Sequence, residues 1–262
     1  MINDLSLSII MPALNEEKNI KEAIFSSISA LKKNNITGEI IVVNDGSSDS
    51  TRQIVEDIGK ENPLIRLINH DTPKGIGYSF FDGVKNSKND VVVFFPGDNE
   101  NDPDDALAFY VLMEKVDIII PFIHNVEIRD RIRRVISSLY RFIINLSFGT
   151  NINYTNGTVF YRRSILEGLE LKSEGFFYQA ELLVKLIRKG YMFAEIPNFL
   201  SVRRDGKSKA TTFNSFICVM KNYLRLFFDI HIRRIETVKG YKTLYPDSIT
   251  FRKYSNGRKK IV

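Results

Sequence analysis

The chain has 262 residues, 44% hydrophobic and 26% charged, the balance of a globular protein with length for one large domain or a small pair, which excludes disorder of the whole chain. Its single cysteine, Cys218, excludes an intramolecular disulfide framework and a cysteine-rich zinc site, and reads as a core thiol in a reducing compartment. The net charge of +6 is unevenly spread: residues 203–262 hold 15 Lys+Arg against 4 Asp+Glu, a balance of +11, and residues 1–202 hold 22 against 27, a balance of −5, so the basic end suits an anionic partner.

Leu5–Met11 predicts a short apolar strand ended by Pro12, and Asn15-Glu16-Glu17 opens a helical pattern with Ile20, Ala23, Ile24, Ile28 and Leu31 on one face. Glu39–Val43 predicts a second strand, followed by the polar run Asn44–Thr51 and a helix through Ile54, Val55 and Ile58. Ile65–Ile68 is the third strand, a helix with Phe80, Phe81 and Val84 follows, and Val91–Phe95 is a fourth, wholly apolar strand. Strands without alternation are covered on both faces. Alternating strands and helices joined by short polar loops therefore predict an α/β fold with a doubly wound, mostly parallel sheet. Ligands of such sheets sit beyond the carboxyl ends of the strands, which places Ala13–Glu17, Asn44–Asp49 and Pro96–Asp102 along one edge.

From about Glu127 the pattern changes. Ile132, Val135, Ile136, Leu139, Ile143 and Leu146 form one helical stripe, with Arg133, Arg134 and Arg141 on other faces. A strand pair near Thr158–Tyr161, a helix over Ala180–Lys189, a strand near Phe193–Ile196 and a long helix over Phe213–Ile232 complete the reading. The division expected is one domain over residues 1–210 and a basic, partly helical extension over 211–262. No window reaches the roughly 18 apolar residues of a membrane span, and the first basic residue is Lys18, so no charged secretory start is read and the expected location is cytoplasmic.

Pro96-Gly97-Asp98-Asn99-Glu100-Asn101-Asp102 is the strongest chemical cluster, because carboxylates at a strand end are the hard oxygen ligands that Mg²⁺ or Mn²⁺ takes, and such a metal binds diphosphate. The bland alternative is an acidic loop capping the helix that begins at Pro103. Asn44–Thr51 has the composition of any tight turn and N-cap. Lys74-Gly75-Ile76-Gly77 lacks both the dinucleotide glycine spacing and the Walker pattern, which excludes a dinucleotide fold and a P-loop NTPase.

In this order the segments Ser8–Glu17, Val42–Thr51, Lys74–Gly77, Phe95–Pro103, Asn156–Arg163, Gly175–Leu182 and Arg203–Lys209 resemble the GT-A glycosyltransferases of family 2, in particular the branch with dolichol-phosphate mannose synthases and bacterial polyprenyl-phosphate glycosyltransferases. The resemblance implies that Pro12, Ala13, Asn15, Glu17 and Lys74 border a nucleotide sugar and that Asp45 contacts its base. It also implies that Asp98, with Glu100, holds a divalent metal bridging the diphosphate of a UDP- or GDP-linked donor. The reaction implied is an inverting displacement by an acceptor oxygen.

Two departures bear on it. Pro96 stands where that family usually has the first acid of an Asp-x-Asp pair, and Asn153 stands where an Asp is common. An amide cannot act as a general base, so Glu181 becomes the base candidate and the acceptor leans towards a polyprenyl phosphate, already ionised, rather than a glycan hydroxyl. Arg203, Lys207 and Lys209 would meet phosphate. The two basic amphipathic helices suggest peripheral contact with a membrane, and no nucleic-acid-binding motif is found. The competing readings are a catalytically weakened relative that binds nucleotide or glycan as an assembly partner, and a nucleotidyltransferase.

Overall fold

Four βα units form half of the molecule. The computed structural model describes residues 5–128, 131–169, 171–173, 175–198, 213–233 and 244–258. Strands β1 (Leu7–Ala13), β2 (Gly38–Asp45), β3 (Ile65–His70) and β4 (Val91–Phe94) alternate with helices α1 (Ile20–Lys33), α2 (Thr51–Glu61) and α3 (Ile76–Asn86). The short α4 (Pro103–Leu107) then leads to β5 (Ile118–Ile123), α5 (Arg131–Phe148), β6 (Phe160–Arg162), α6 (Tyr178–Arg188) and β7 (Phe193–Asn198), with α7 (Phe213–His231) and α8 (Ile249–Arg258) at the end.

The seven strands form one sheet in the order β3-β2-β1-β4-β6-β5-β7. β1, β2, β3 and β4 run parallel, β6 is antiparallel to both β4 and β5, and β7 is parallel to β5. This is the doubly wound, mostly parallel sheet that the sequence predicts, with a single short strand, β6, in place of the predicted pair. Ile118–Ile123, to which the sequence reading assigned no element, is a full strand. Every residue of β1 and β4 is buried. Leu7, Ile9 and Met11 pack into one core layer and Ile10 into the other, so both faces of the sheet are covered. Gly83 lets α3 lie close on that sheet, since a Cβ there would stand 2.3 Å from the Ile10 side chain.

The C-terminal residues return to the sheet. Asp117, fully buried before β5, accepts hydrogen bonds from the backbone N–H groups of Ile249 (2.7 Å) and Thr250 (3.0 Å) and from the Thr250 hydroxyl, and thereby caps α8. A third cluster joins Ile144 and Phe148 of α5 to Ala180 and Val184 of α6 and to Leu226 and Ile230 of α7. The Ser147 and Tyr223 hydroxyls share a 2.7 Å hydrogen bond across the α5–α7 contact. Cys218 lies exposed on α7 instead of in the core.

The apolar stripe predicted for α5 does not face this core. Ile132, Val135, Ile136, Leu139, Ile143 and Leu146 are all exposed, and Phe142 with them. Phe216, Ile217, Met220, Leu224 and Phe228 of α7 are exposed too. Each helix thus carries two apolar faces, one packed and one open, and no described helix is long and apolar enough to cross a membrane.

Candidate active site

The loops that leave β1 and β2 are stitched to one another. Asn15 adopts φ 57°, in the left-handed region that Asn tolerates better than most residues. Its Oδ1 accepts from the backbone N–H of Ser48 (2.9 Å), and its own N–H donates to Ser47 Oγ (3.0 Å). The N–H of Glu16 donates to Thr51 Oγ1 (2.8 Å), that of Glu17 to Asp49 Oδ2 (3.1 Å), and that of Ser50 to Glu17 Oε2 (3.1 Å). Two of these acceptors are carboxylates, which make the stronger bonds. The result is a rigid double loop. Gly46, at φ 72°, is required in it, because a Cβ there would lie 2.7 Å from the backbone of Thr72 and Pro73.

Asp45 ends β2 and is 4% exposed. Its Oδ1 accepts from the backbone N–H of Lys74 (2.9 Å) and faces His70 Nδ1 at 2.8 Å, and its Oδ2 accepts from the N–H of Gly75 (2.9 Å). Burial works against ionisation, but the hydrogen bonds from His70, Lys74 and Gly75 outweigh it and hold the carboxyl below its ordinary value. The residue expected to contact a base therefore first holds the Lys74–Gly75 turn against the end of β2. The Lys74 side chain is exposed, with its ammonium 4.7 Å from the centre of the Tyr78 ring.

The loop after β4 lies against β1, where the Gly97 N–H donates to Pro12 O (3.0 Å). Asp98 Oδ1 accepts from the Glu100 N–H (3.1 Å), and both acids are partly exposed. Asn99 between them takes φ 56°. Asp102 serves the helix, since its Oδ1 accepts from the Asp104 N–H (2.9 Å) at the start of α4, with Pro103 in the first turn. Among the described residues no group of three or more His, Cys, Asp or Glu could hold a metal. Asp98 and Glu100 are the two partly exposed acids that this loop offers, and one or two carboxylates plus phosphate oxygens and water is the ordinary set for Mg²⁺.

Pro12, Ala13, Asn15, Glu17, Asp45, Lys74, Asp98 and Glu100 accordingly belong to one edge, the carboxyl ends of β1, β2 and β4 and the loops fastened there. Glu181 belongs elsewhere. It is 2% exposed on α6, with Oε1 3.0 Å from Lys185 Nζ and accepting from the Lys172 N–H, while Oε2 faces Arg225 of α7 at 4.0 Å. It ties α6 to α7. Asn153 is held by Glu195 of β7, whose two oxygens accept from its backbone N–H (2.6 Å) and its amide (2.8 Å). Gln179 exchanges two hydrogen bonds with the backbone of Gly157 and so joins two of the sequence segments singled out above. Arg203, Lys207 and Lys209 lie outside the described residues.

Sequence reasoning missed His70, which also faces Asp82 Oδ2 through Nε2 at 3.0 Å. A lone histidine at a strand end has no pattern to betray it, and its two carboxylate partners come from β2 and α3. Glu195, which holds Asn153, escaped for the same reason.

Three comparisons bear on this geometry. Residues 8–169 match the family model described as glycosyl transferase family 2. A dolichol-phosphate mannosyltransferase of Pyrococcus furiosus is 28% identical over 217 residues, covering 78% of this chain and 59% of that protein. A dolichyl-phosphate beta-glucosyltransferase of Trichomonas vaginalis is 32% identical over 115 residues, 42% of this chain and 35% of that protein. The chain thus spans between about a third and three fifths of the length of these relatives. In structure it is similar to glucosyl-3-phosphoglycerate synthase of Mycobacterium tuberculosis in complex with Mn²⁺, UDP-glucose and phosphoglyceric acid, with TM-score 0.65, 19% identity and coverage of 86% of this chain and 80% of that one.

Proposed function

The chain belongs to glycosyl transferase family 2, and we propose that it transfers a sugar from a nucleoside-diphosphate sugar to a polyprenyl phosphate with inversion at the anomeric carbon. The observation that carries this reading is the single edge on which the stitched Asn15–Ser48 loops, the Asp45-held turn and the Asp98–Glu100 loop meet. The relatives named for dolichyl-phosphate sugar transfer support the acceptor class.

In the mechanism proposed, the donor's nucleoside lies along Pro12, Ala13, Asn15 and Glu17 and against the Lys74–Gly75 turn. Asp98 and Glu100 would hold a divalent Mg²⁺ or Mn²⁺, which when bound neutralises charge on the departing diphosphate. The structural relatives bound to Mn²⁺ or Mg²⁺ support such a cofactor. An acceptor phosphate oxygen attacks C1 of the sugar, the bond from C1 to the diphosphate oxygen breaks, and the nucleoside diphosphate leaves with the bonding pair. The acceptor is an anion at neutral pH, so no proton has to be removed from it. That agrees with the buried, paired state of Glu181, which argues for a structural tie in place of the base suggested by the sequence. Arg203, Lys207 and Lys209 remain proposed phosphate contacts.

A polyprenyl phosphate resides in a membrane, and the open apolar faces of α5 and α7 support peripheral contact with one. Arg131, Arg133 and Arg134 in the first turn of α5 suit anionic headgroups, the arrangement of an interfacial helix.

The test is a thermal-shift series with UDP, GDP, TDP and CMP, each with EDTA, Mg²⁺ or Mn²⁺, followed by transfer of labelled sugar to a short polyprenyl phosphate. A ligand that binds only the native state raises the melting temperature by mass action. One diphosphate stabilising only with metal, and loss of both shift and transfer in Asp98→Ala with its melting temperature unchanged in EDTA, is the expected result. Nucleotide binding without turnover on any acceptor would move the chain to the non-catalytic assembly role.

A further inference from the structure

His70 is buried at the end of β3 with a carboxylate on each ring nitrogen: Asp45 of β2 at 2.8 Å from Nδ1 and Asp82 of α3 at 3.0 Å from Nε2. The other groups facing it come from α3 and the turn before it. The Tyr78 ring stands edge-on at 5.3 Å between centroids, and the Lys74 ammonium lies over that same ring. A neutral imidazole has one N–H and one lone pair, so it can satisfy one carboxylate and must point its lone pair at the other. Asp45 is buried and has the ring on Oδ1, while Asp82 is partly exposed and open to water, so the ring bridges a closed carboxylate and an open one. Among the described residues, His70 is the one basic side chain within hydrogen-bond distance of Asp45.

Asp45 in turn holds two consecutive backbone N–H groups of the turn that opens α3, and Gly75 in that turn takes φ 101°. The path Asp82–His70–Asp45–Lys74/Gly75 therefore runs from a partly exposed carboxylate on the outside of α3 to the turn at the edge proposed for the donor. We propose that His70, clamped between Asp45 and Asp82, is a positioning residue for donor binding: it fixes the orientation of Asp45, and through it the Lys74–Gly75 turn against which the nucleoside diphosphate seats. The inference rests on the reading of this edge as the nucleotide site. His70 touches no donor atom, and its effect falls on the affinity for the nucleotide.

The test uses the full chain with nucleoside diphosphates as probes. Isothermal titration of UDP and GDP with Mn²⁺ is compared for the wild type, His70→Gln and Asp82→Asn. Gln keeps one polar end where the ring bridges two carboxylates. Asp82→Asn leaves Asp45 and the turn untouched and, its side chain being 28% exposed, is the variant expected to fold without loss. The nucleotide Kd should rise about tenfold in His70→Gln and about threefold in Asp82→Asn, as loss of a charge-assisted bond implies, with the loss in kcat/KM carried by the donor KM. A Kd within about 1.5-fold of wild type in both variants, or a loss carried by kcat with the donor KM unchanged, overturns the inference while the nucleotide site stands. Failure of the wild type to bind any nucleoside diphosphate overturns the site and the inference together.

Discussion

Ile136 and Leu139 are 61% and 56% exposed on α5, so replacing both with Glu tests the membrane face without touching the core. Complete burial of such a side chain is worth about 1.5–3 kcal/mol, and more than half of each surface is still open, which leaves roughly 1–1.5 kcal/mol per residue to be gained at a bilayer. Each new Glu also sets a negative charge against anionic headgroups, at roughly 1 kcal/mol by analogy with the gain per basic residue. The double variant should therefore bind vesicles more weakly by about 4 kcal/mol, on the order of a thousandfold in partition. Co-sedimentation with phosphatidylglycerol vesicles measures this. The melting temperature serves as the control, because exposed substitutions of this kind shift stability by about 0.5 kcal/mol or less. Equal partition of the variant and the wild type would refute the reasoning. So would wild-type protein that ignores vesicles altogether while transferring sugar to a soluble, short-chain acceptor at full rate.

Asp117→Ala removes the cap of α8 and takes from Arg162, 5% exposed, the carboxylate that lies 3.5 Å away; urea unfolding should report a loss of about 3–5 kcal/mol. Acid should act through Asp45 and Glu39, the latter held low, against its burial, by Ser8, Arg66 and the Lys88 N–H. Their folded values lie below the ordinary 3.8 and 4.5, so the stability they contribute is complete above those values and is lost as pH falls through the depressed ones. The urea midpoint should hold from pH 7 to about 5 and fall below about 4, and Asp45→Asn should flatten part of that fall.

The first half of the fold is legible in the sequence because its signals are local. Ile9-Ile10-Met11 and Val91–Phe94 are apolar on both faces and their helices carry a clear period, so each βα unit declares itself. The second half depends on partners far along the chain. Three-residue β6 has its place only through pairing with β4 and β5. α8 shows little amphipathic pattern and begins where it does because Asp117, more than 130 residues earlier, caps it. The α5 stripe was visible in the sequence, but its direction was not: periodicity finds an apolar face without saying whether protein or lipid covers it. The candidate site divides in the same way. Asp98 and the Asn44–Asp49 loop follow strand ends and are readable from position, whereas the partners of Glu181 come from α6, α7 and the segment before α6.

Those partners bear on the acceptor. A sugar hydroxyl must lose a proton as it attacks, which calls for a carboxylate or imidazole at the acceptor side. Of the positions that the sequence offered for this role, Asn153 is an amide whose N–H groups are spent on Glu195, and Glu181 is closed off with Lys185 on one oxygen. A phosphate needs no such group, and the proposed lipid-borne phosphate would meet the exposed apolar faces of α5 and α7. The pairing of Asn153 and Glu181 and the exposure on the helices favour the same proposed acceptor. Glu181→Gln decides the matter: it keeps the shape of the residue but removes the ion pair with Lys185, so stability should fall measurably. Transfer to polyprenyl phosphate by the folded fraction should keep its kcat within about threefold, against the roughly 10²–10⁴-fold loss expected on removal of a general base. A loss of that larger size in protein with an intact melting transition would return Glu181 to the chemistry and reopen the hydroxyl acceptor.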